Sequence, residues 1–255
     1  MSEFQQQQII EIADGGSRLR LAPQYGGRLL SWDIDGESVI HWPEKADWSR
    51  LGGVRGGNPL LFPFLGRHRV DGEIGRWRDA QGIVREVPMH GFARDLPFVA
   101  QIETRGKGVR MTLRDSEATR AGYPFGFRFE AAYRLIGTHT LEVELSVANT
   151  GDAPLPHYAG HHFYFTLPHA QRGATTLELP PTLRRYHQAD GAIAPAVPGQ
   201  PSYKLDDPVI HDRMHCLQGA PDRPVRLLMP GLDRRIEIDL RRPGAAPWYC
   251  VTTWT

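Results

Sequence analysis

The sequence predicts an all-β fold, and three observations carry that expectation. Nowhere in the 255 residues does an apolar period of 3.6 persist for three turns. The 27 glycines and 21 prolines punctuate short alternating runs, the spacing of turns between strands. In Leu141-Glu-Val-Glu-Leu-Ser-Val-Ala-Asn149 apolar and polar residues alternate without a fault, the signature of a half-buried strand.

In chain order, Ile9-Ile-Glu-Ile, the turn Asp14-Gly-Gly and Arg18-Leu-Arg-Leu read as a hairpin. Arg28–Ile34, Asp35-Gly-Glu and the stretch 38–42 read as a second. The loop Leu51-Gly-Gly-Val-Arg-Gly-Gly-Asn-Pro59 lacks the lysine and serine of a phosphate loop, and Pro59 and Pro63 oppose a helix behind it. Asp71-Gly-Glu and Asp79-Ala-Gln-Gly82 mark a short hairpin. Strands are expected over 98–104, Gly108–Arg114 and 126–135, with 116–124 too polar for core. After the alternating run comes a turn, Asn149-Thr-Gly-Asp-Ala-Pro154. Further on, 175–179 and 184–187 read as short strands, 192–202 as a Pro- and Gly-rich connection, and 206–216 as irregular. Val225–Met229 and 235–240 read as a late hairpin, and 248–254 as a final strand. With no repeat or linker in view, 1–255 reads as a single domain. It stops inside that last strand, and a C-terminal portion is expected beyond Thr255.

Charge narrows the partners. Thirty basic residues nearly balance 29 acidic ones and no long single-sign run occurs, so neither nucleic acid nor an anionic membrane is indicated. The basic residues are mostly arginine, which suits recognition of carboxylate, phosphate or hydroxyl groups. Two cysteines, Cys216 and Cys250, make no disulfide framework and no redox or zinc spacing. The N-terminus lacks the basic and apolar regions of a signal peptide, and no apolar run approaches the ~20 residues of a membrane span. A cytoplasmic location is the default expectation.

The chemistry concentrates in His157-Tyr-Ala-Gly-His-His-Phe-Tyr-Phe-Thr-Leu-Pro168. Imidazole exchanges protons near neutral pH without a large pKa shift. A period of two puts His162 and Tyr164 on one face and His161, Phe163 and Phe165 on the other. One histidine should therefore pack with the aromatics while its neighbour faces elsewhere. The same geometry works against a cupin-like metal site built from His157, His161, His162, His90 and Asp212, because a strand offers ligands at i and i+2. No metal and no cofactor is expected.

Four stretches, in this order, resemble the aldose 1-epimerase (galactose mutarotase) superfamily, most closely its short, LacX-like bacterial branch. They are Asn58-Pro-Leu-Leu-Phe-Pro-Phe-Leu-Gly-Arg67, His90-Gly-Phe-Ala-Arg-Asp95, Tyr123-Pro-Phe125 and Gly160-His-His-Phe-Tyr-Phe-Thr-Leu-Pro168. The His-Gly-Phe-Ala-Arg-Asp stretch, with a His-x-Tyr-Phe stretch roughly seventy residues on, is the more specific pair, within the size of one β domain. The resemblance covers nearly the whole chain and implies a large antiparallel β-sandwich of the galactose mutarotase-like supersandwich kind. By the same resemblance the ligand is a small-molecule sugar, and the activity is interconversion of its α and β anomers by ring opening and reclosure. His162 is similar to the family's general acid and His90 to the histidine beside the ring oxygen. Arg67 resembles the substrate-binding arginine and Asp212 a hydroxyl-binding aspartate. His161 stands where relatives have a small or apolar residue and is expected to support or pack. Arg94, Arg55 and Asn58 complete the expected substrate-binding set.

One departure concerns the base, a glutamate in the family's Cys-Val-Glu-Pro-Trp type of motif. Cys250-Val-Thr-Thr-Trp254 has Thr252 at that place, unless 248–255 is the preceding strand and the glutamate lies beyond it, which is the expectation preferred here. A non-catalytic sugar-binding protein is therefore an alternative. A second alternative is a hexose-6-phosphate mutarotase. Arg55-Gly-Gly-Asn-Pro59 is similar to an Arg-Gly-Gly-x-Pro stretch of that branch, in which arginines matching Arg55 and Arg94 bind phosphate. Gly66-Arg67 follows the unphosphorylated branch and favours a free aldose. Trp32, Trp42, Trp77 and Phe163 are aromatic faces for a sugar or, more simply, core.

Overall fold

In the structure, a computed structural model that describes residues 2–103, 106–219, 221–241 and 249–254, the alternating runs form antiparallel strands. They cluster into two compact units, Met1–Thr166 and Leu167–Thr255.

The first unit holds a five-stranded sheet in the order Ser2–Phe4, Gln7–Asp14, Ser17–Ala22, Arg28–Ile34 and Glu37–Ser38. It also holds a four-stranded meander of Val99–Ile102, Gly108–Arg114, Phe127–Leu135 and Leu141–Asn149. Such meanders form when successive alternating runs are joined by short turns, so that each strand pairs with the one before it. Phe127 lies opposite Asn149 and Leu135 opposite Leu141, so no register slip interrupts that ladder. A side-chain period of two then turns Phe127, Phe129, Ala131, Tyr133 and Leu135 inward, where all are buried. Arg134 points outward and bridges Glu103, Glu142 and Glu144. Phe62 enters this core and stacks on Phe129, ring centroids 4.6 Å apart.

The stretch 116–124 departs from its expectation. Ser116 caps the single helical turn Glu117–Arg120, but Tyr123 is wholly buried. Its ring packs on Phe62 and its hydroxyl donates to the carbonyl of Pro156 at 2.7 Å, which gives its one side-chain polar atom a partner. Trp32, Trp42, Trp77 and Phe163 are all packed against apolar clusters.

The second unit has two four-stranded sheets. One runs Ser202–Lys204, Thr176–Glu178, Val225–Met229, Arg234–Ile238, and the other Val197–Pro198, Thr182–Arg185, Arg213–Leu217, Cys250–Thr253. The stretch 206–216, read as irregular, therefore ends in a strand, because its alternation is carried by His215 and Leu217 rather than by aliphatic residues alone. Cys216 lies directly opposite Cys250 in the ladder, and the two form a disulfide that the cysteine count did not foretell. Trp248, where the expected last strand begins, Thr104, where the expected strand 98–104 ends, and Thr255 lie outside the described residues. No described helix is long and apolar enough to cross a membrane.

Candidate active site

Three segments of the first unit bring the site together. Gly160–His161 pairs with Leu60–Leu61, while Leu29 bridges Asn58, Ile40 bridges Phe165 and Phe62 bridges Gly91. These contacts bring residues near 58, 90 and 162 into one neighbourhood. The Phe62–Gly91 bridge leaves no room for a side chain. A Cβ on Gly91, whose φ is +76°, would lie 2.1 Å from the carbonyl oxygen of Phe62. His90 also sits in the left-handed region, at φ 68°. A non-glycine residue held there costs on the order of 1–3 kcal/mol, a strain that concentrates at functional sites.

The histidines divide as the alternation predicts. His162 stacks on Tyr164 with centroids 4.9 Å apart, and His161 on Phe163 at 5.1 Å. His162 faces His90 edge-on, centroids 5.6 Å apart. The Gly66 N–H donates to His90 Nδ1 at 3.0 Å. A backbone N–H can only donate, so Nδ1 is the lone pair and the neutral ring carries its proton on Nε2. Burial, then the positive fields of His162, Arg94 and Arg67, push the His90 imidazole down to about 4. At neutral pH it is an uncharged Nε2–H donor. His162 is also held below the ordinary histidine value, chiefly by burial and further by Arg28 and Arg94.

The expected substrate ligands fall into three groups. Arg67 is exposed, its Nε donating to the sulfur of Met89 at 3.3 Å, and its charge acts on His90. Arg94 is largely buried. Its Nε lies 3.7 Å from an Asp95 carboxylate oxygen and has no hydrogen-bond acceptor. Arg55 is exposed on the loop, and with Arg28 and Arg94 it acts on Tyr164, the neighbour of His162. Asn58 is fully buried, and its amide is engaged inside the protein. Asp212 belongs to the second unit, exposed at φ 51° just before Arg213–Leu217.

Arg28 was not singled out from the sequence. It is only 1% exposed, and its guanidinium donates to the carbonyls of Leu51, Val54 and Gly56. It therefore closes the Gly-rich loop, while burial lowers its pKa to about 10. Nothing in the sequence marks a strand-opening arginine as buried. A separate groove of about 590 Å³ is lined by Ile9, Ile10, Ile12, Phe98, Ala100 and Ile102 among others. Glu11 lines it, but no imidazole or guanidinium does.

Solved structures share the fold. A protein from Synechocystis sp. PCC 6803 is 24% identical with a TM-score of 0.74, the match covering 90% of this chain and 76% of that one. A galactose mutarotase related enzyme from Lactobacillus acidophilus is 21% identical with a TM-score of 0.73, over 95% and 84%. The class is thus the all-β, galactose mutarotase-like fold. A family model for aldose 1-epimerase matches residues 8–223, and the chain belongs to that family. A relative from Salmonella typhimurium, provisionally assigned as a glucose-6-phosphate 1-epimerase, is 32% identical over 123 residues, 47% of this chain and 37% of that protein. One from Cenchrus ciliaris with the same provisional assignment is 27% identical over 155 residues, 55% of this chain and 41% of that protein. The chain thus matches well under half the length of these curated relatives.

Proposed function

We propose that this protein is an aldose 1-epimerase that interconverts the anomers of a hexose at His90 and His162. The observation that carries the reading is the facing pair of imidazoles, one locked by Gly66 as a neutral donor and the other turned to the same neighbourhood. Mutarotation removes the proton of the anomeric hydroxyl and supplies one to the ring oxygen. The ring opens, the C1–C2 bond turns, and the ring closes on the other face of the carbonyl. His162 is the group we assign to protonate the ring oxygen. The Nε2–H of His90 holds that oxygen or an adjacent hydroxyl, and Arg67 binds a hydroxyl by a charge-assisted hydrogen bond. Each proton-transfer partner is typically worth about 10²- to 10⁴-fold. The partner base is a carboxylate by family resemblance. Thr252, in the Cys250-Val-Thr-Thr-Trp254 stretch, carries none.

A 6-phosphosugar is the second reading. The buried Arg94 Nε without an acceptor favours it, as do the converging fields of Arg28, Arg55 and Arg94 and the provisional assignments of the curated relatives. Polarimetry of freshly dissolved α-D-glucose and of glucose 6-phosphate tests both readings. The protein is expected to shorten equilibration, and His162→Ala to remove the effect while sugar still binds. Equal rates with and without protein would refute the enzyme reading and leave sugar binding alone.

A further inference from the structure

The amide of Asn58 has no freedom left. It is 0% exposed, and its Nδ2 donates to the hydroxyl of Tyr133 at 2.7 Å and bonds to His161 Nδ1 at 2.8 Å. Its Oδ1 accepts the backbone N–H of His162 at 2.7 Å. The orientation of the amide follows from that last contact, since a peptide N–H requires an acceptor opposite it. Both amide protons are then committed, so His161 Nδ1 must be a lone pair. His161 is thus the Nε2–H tautomer, in keeping with the desolvation that lowers its pKa to about 4. Behind Asn58 the backbone is equally constrained. Its N–H donates to the carbonyl of Leu29 at 2.8 Å, and a Cβ on the preceding Gly57 would stand 2.1 Å from that same oxygen.

We propose that Asn58 is a positioning residue for the proton donor. It couples the backbone of His162 to Tyr133, on a strand of the meander paired on both sides, and uses His161 as the brace that fixes its amide. The inference rests on His162 being the acid. It replaces the expectation that Asn58 touches sugar with one in which it acts through the residue that does. It also accounts for the doubled histidine: His161 completes the support on one face of the strand, and His162 is presented on the other.

The test compares Asn58→Leu, close in volume but without polar atoms, with Asn58→Asp, which keeps the acceptor for His162. In the aspartate variant Tyr133 can turn its hydroxyl proton toward the carboxylate and His161 can shift its own proton to Nδ1. Misplacing a reacting group by about 1 Å can cost on the order of 10²-fold. Asn58→Leu should therefore lose kcat on that scale with KM little changed, while Asn58→Asp recovers most of it. A residue needed only for packing would give the reverse order, leucine outperforming a buried carboxylate. Amide hydrogen exchange of His162 is read in parallel, and Asn58→Leu should accelerate it. Unchanged kcat and unchanged His162 exchange in a folded Asn58→Leu would overturn the proposal. Absence of turnover in the wild-type protein would instead remove the functional reading, and the exchange measurement would then decide the positioning alone. Should Asn58→Leu fail to fold, Tyr133→Phe takes its place. It is expected to slow turnover several-fold and to raise the same exchange rate, and no change in either would overturn the proposal.

Discussion

Two histidine-bearing stretches, 157–168 and 206–217, end differently. In the first, His162 is presented to a second imidazole and to a field of arginines. In the second, His215 is 0% exposed, and its Nε2 lies 3.2 Å from the hydroxyl of Thr253. That hydroxyl donates to the carbonyl of Ile210, so His215 must donate to it and is closed into the interior of its unit. What a ring faces, rather than the number of rings nearby, separates the histidine we propose as the acid from the one closed into its unit.

Removing each ring in turn should separate the two stretches most strongly. His162→Ala should cost about 10²- to 10⁴-fold in turnover and little in stability. His215→Phe should do the opposite, holding the rate and losing about 1–3 kcal/mol as Thr253 loses its donor. Anomer-exchange rates and urea unfolding on both variants check this.

Acid should sharpen the comparison by treating the two stretches alike. His161 and His215 are both lowered from 6.5 to about 4 by burial, so on acidification the unfolded chain takes up protons first. Their stability contributions are complete above pH 6.5 and are lost as pH falls through the window down to about 4. Each ring contributes a slope of about 1.4 kcal/mol per pH unit there. Unfolding free energies at several pH values should show that slope, and His161→Phe and His215→Phe should each remove a share of it.

A smaller effect is expected from Gly91→Ala, which meets both a positive φ and the Phe62 carbonyl. It should lower stability by roughly 2 kcal/mol, beyond the ordinary glycine-to-alanine range, and shift His90 enough to slow turnover. Smallest is Arg94→Ala. If a phosphate is bound, it should weaken glucose 6-phosphate about tenfold, roughly 1.4 kcal/mol, and leave glucose nearly untouched. Equal weakening of both would favour the free-sugar reading.

Where side chains alternate strictly, the sequence was legible. The run 141–149 became a strand with those bounds, and the split between His161 and His162 appears as two separate ring stacks. What escaped was polar residues in apolar places. Tyr123 carries its hydroxyl into the core, and Arg28 is buried because loop carbonyls surround it. Asn58 is held in a hub of internal bonds, and Arg213–Leu217 hides its period behind a buried histidine. Each depends on a partner 20 or more residues away in the chain, which local pattern does not encode. Cys216 and Cys250 meet for the same reason, since only the strand register places them opposite one another.

The proposed mechanism needs one sugar to sit against His90 and His162 together. Nitrogen-15 spectra of labelled histidine side chains, recorded while glucose or glucose 6-phosphate is titrated in, test it most directly. The signals of His90 and His162 should move along one isotherm with a single dissociation constant, while His215 stays still. Saturation of the protein with sugar that leaves both rings unmoved, or that shifts His215 instead, would contradict it.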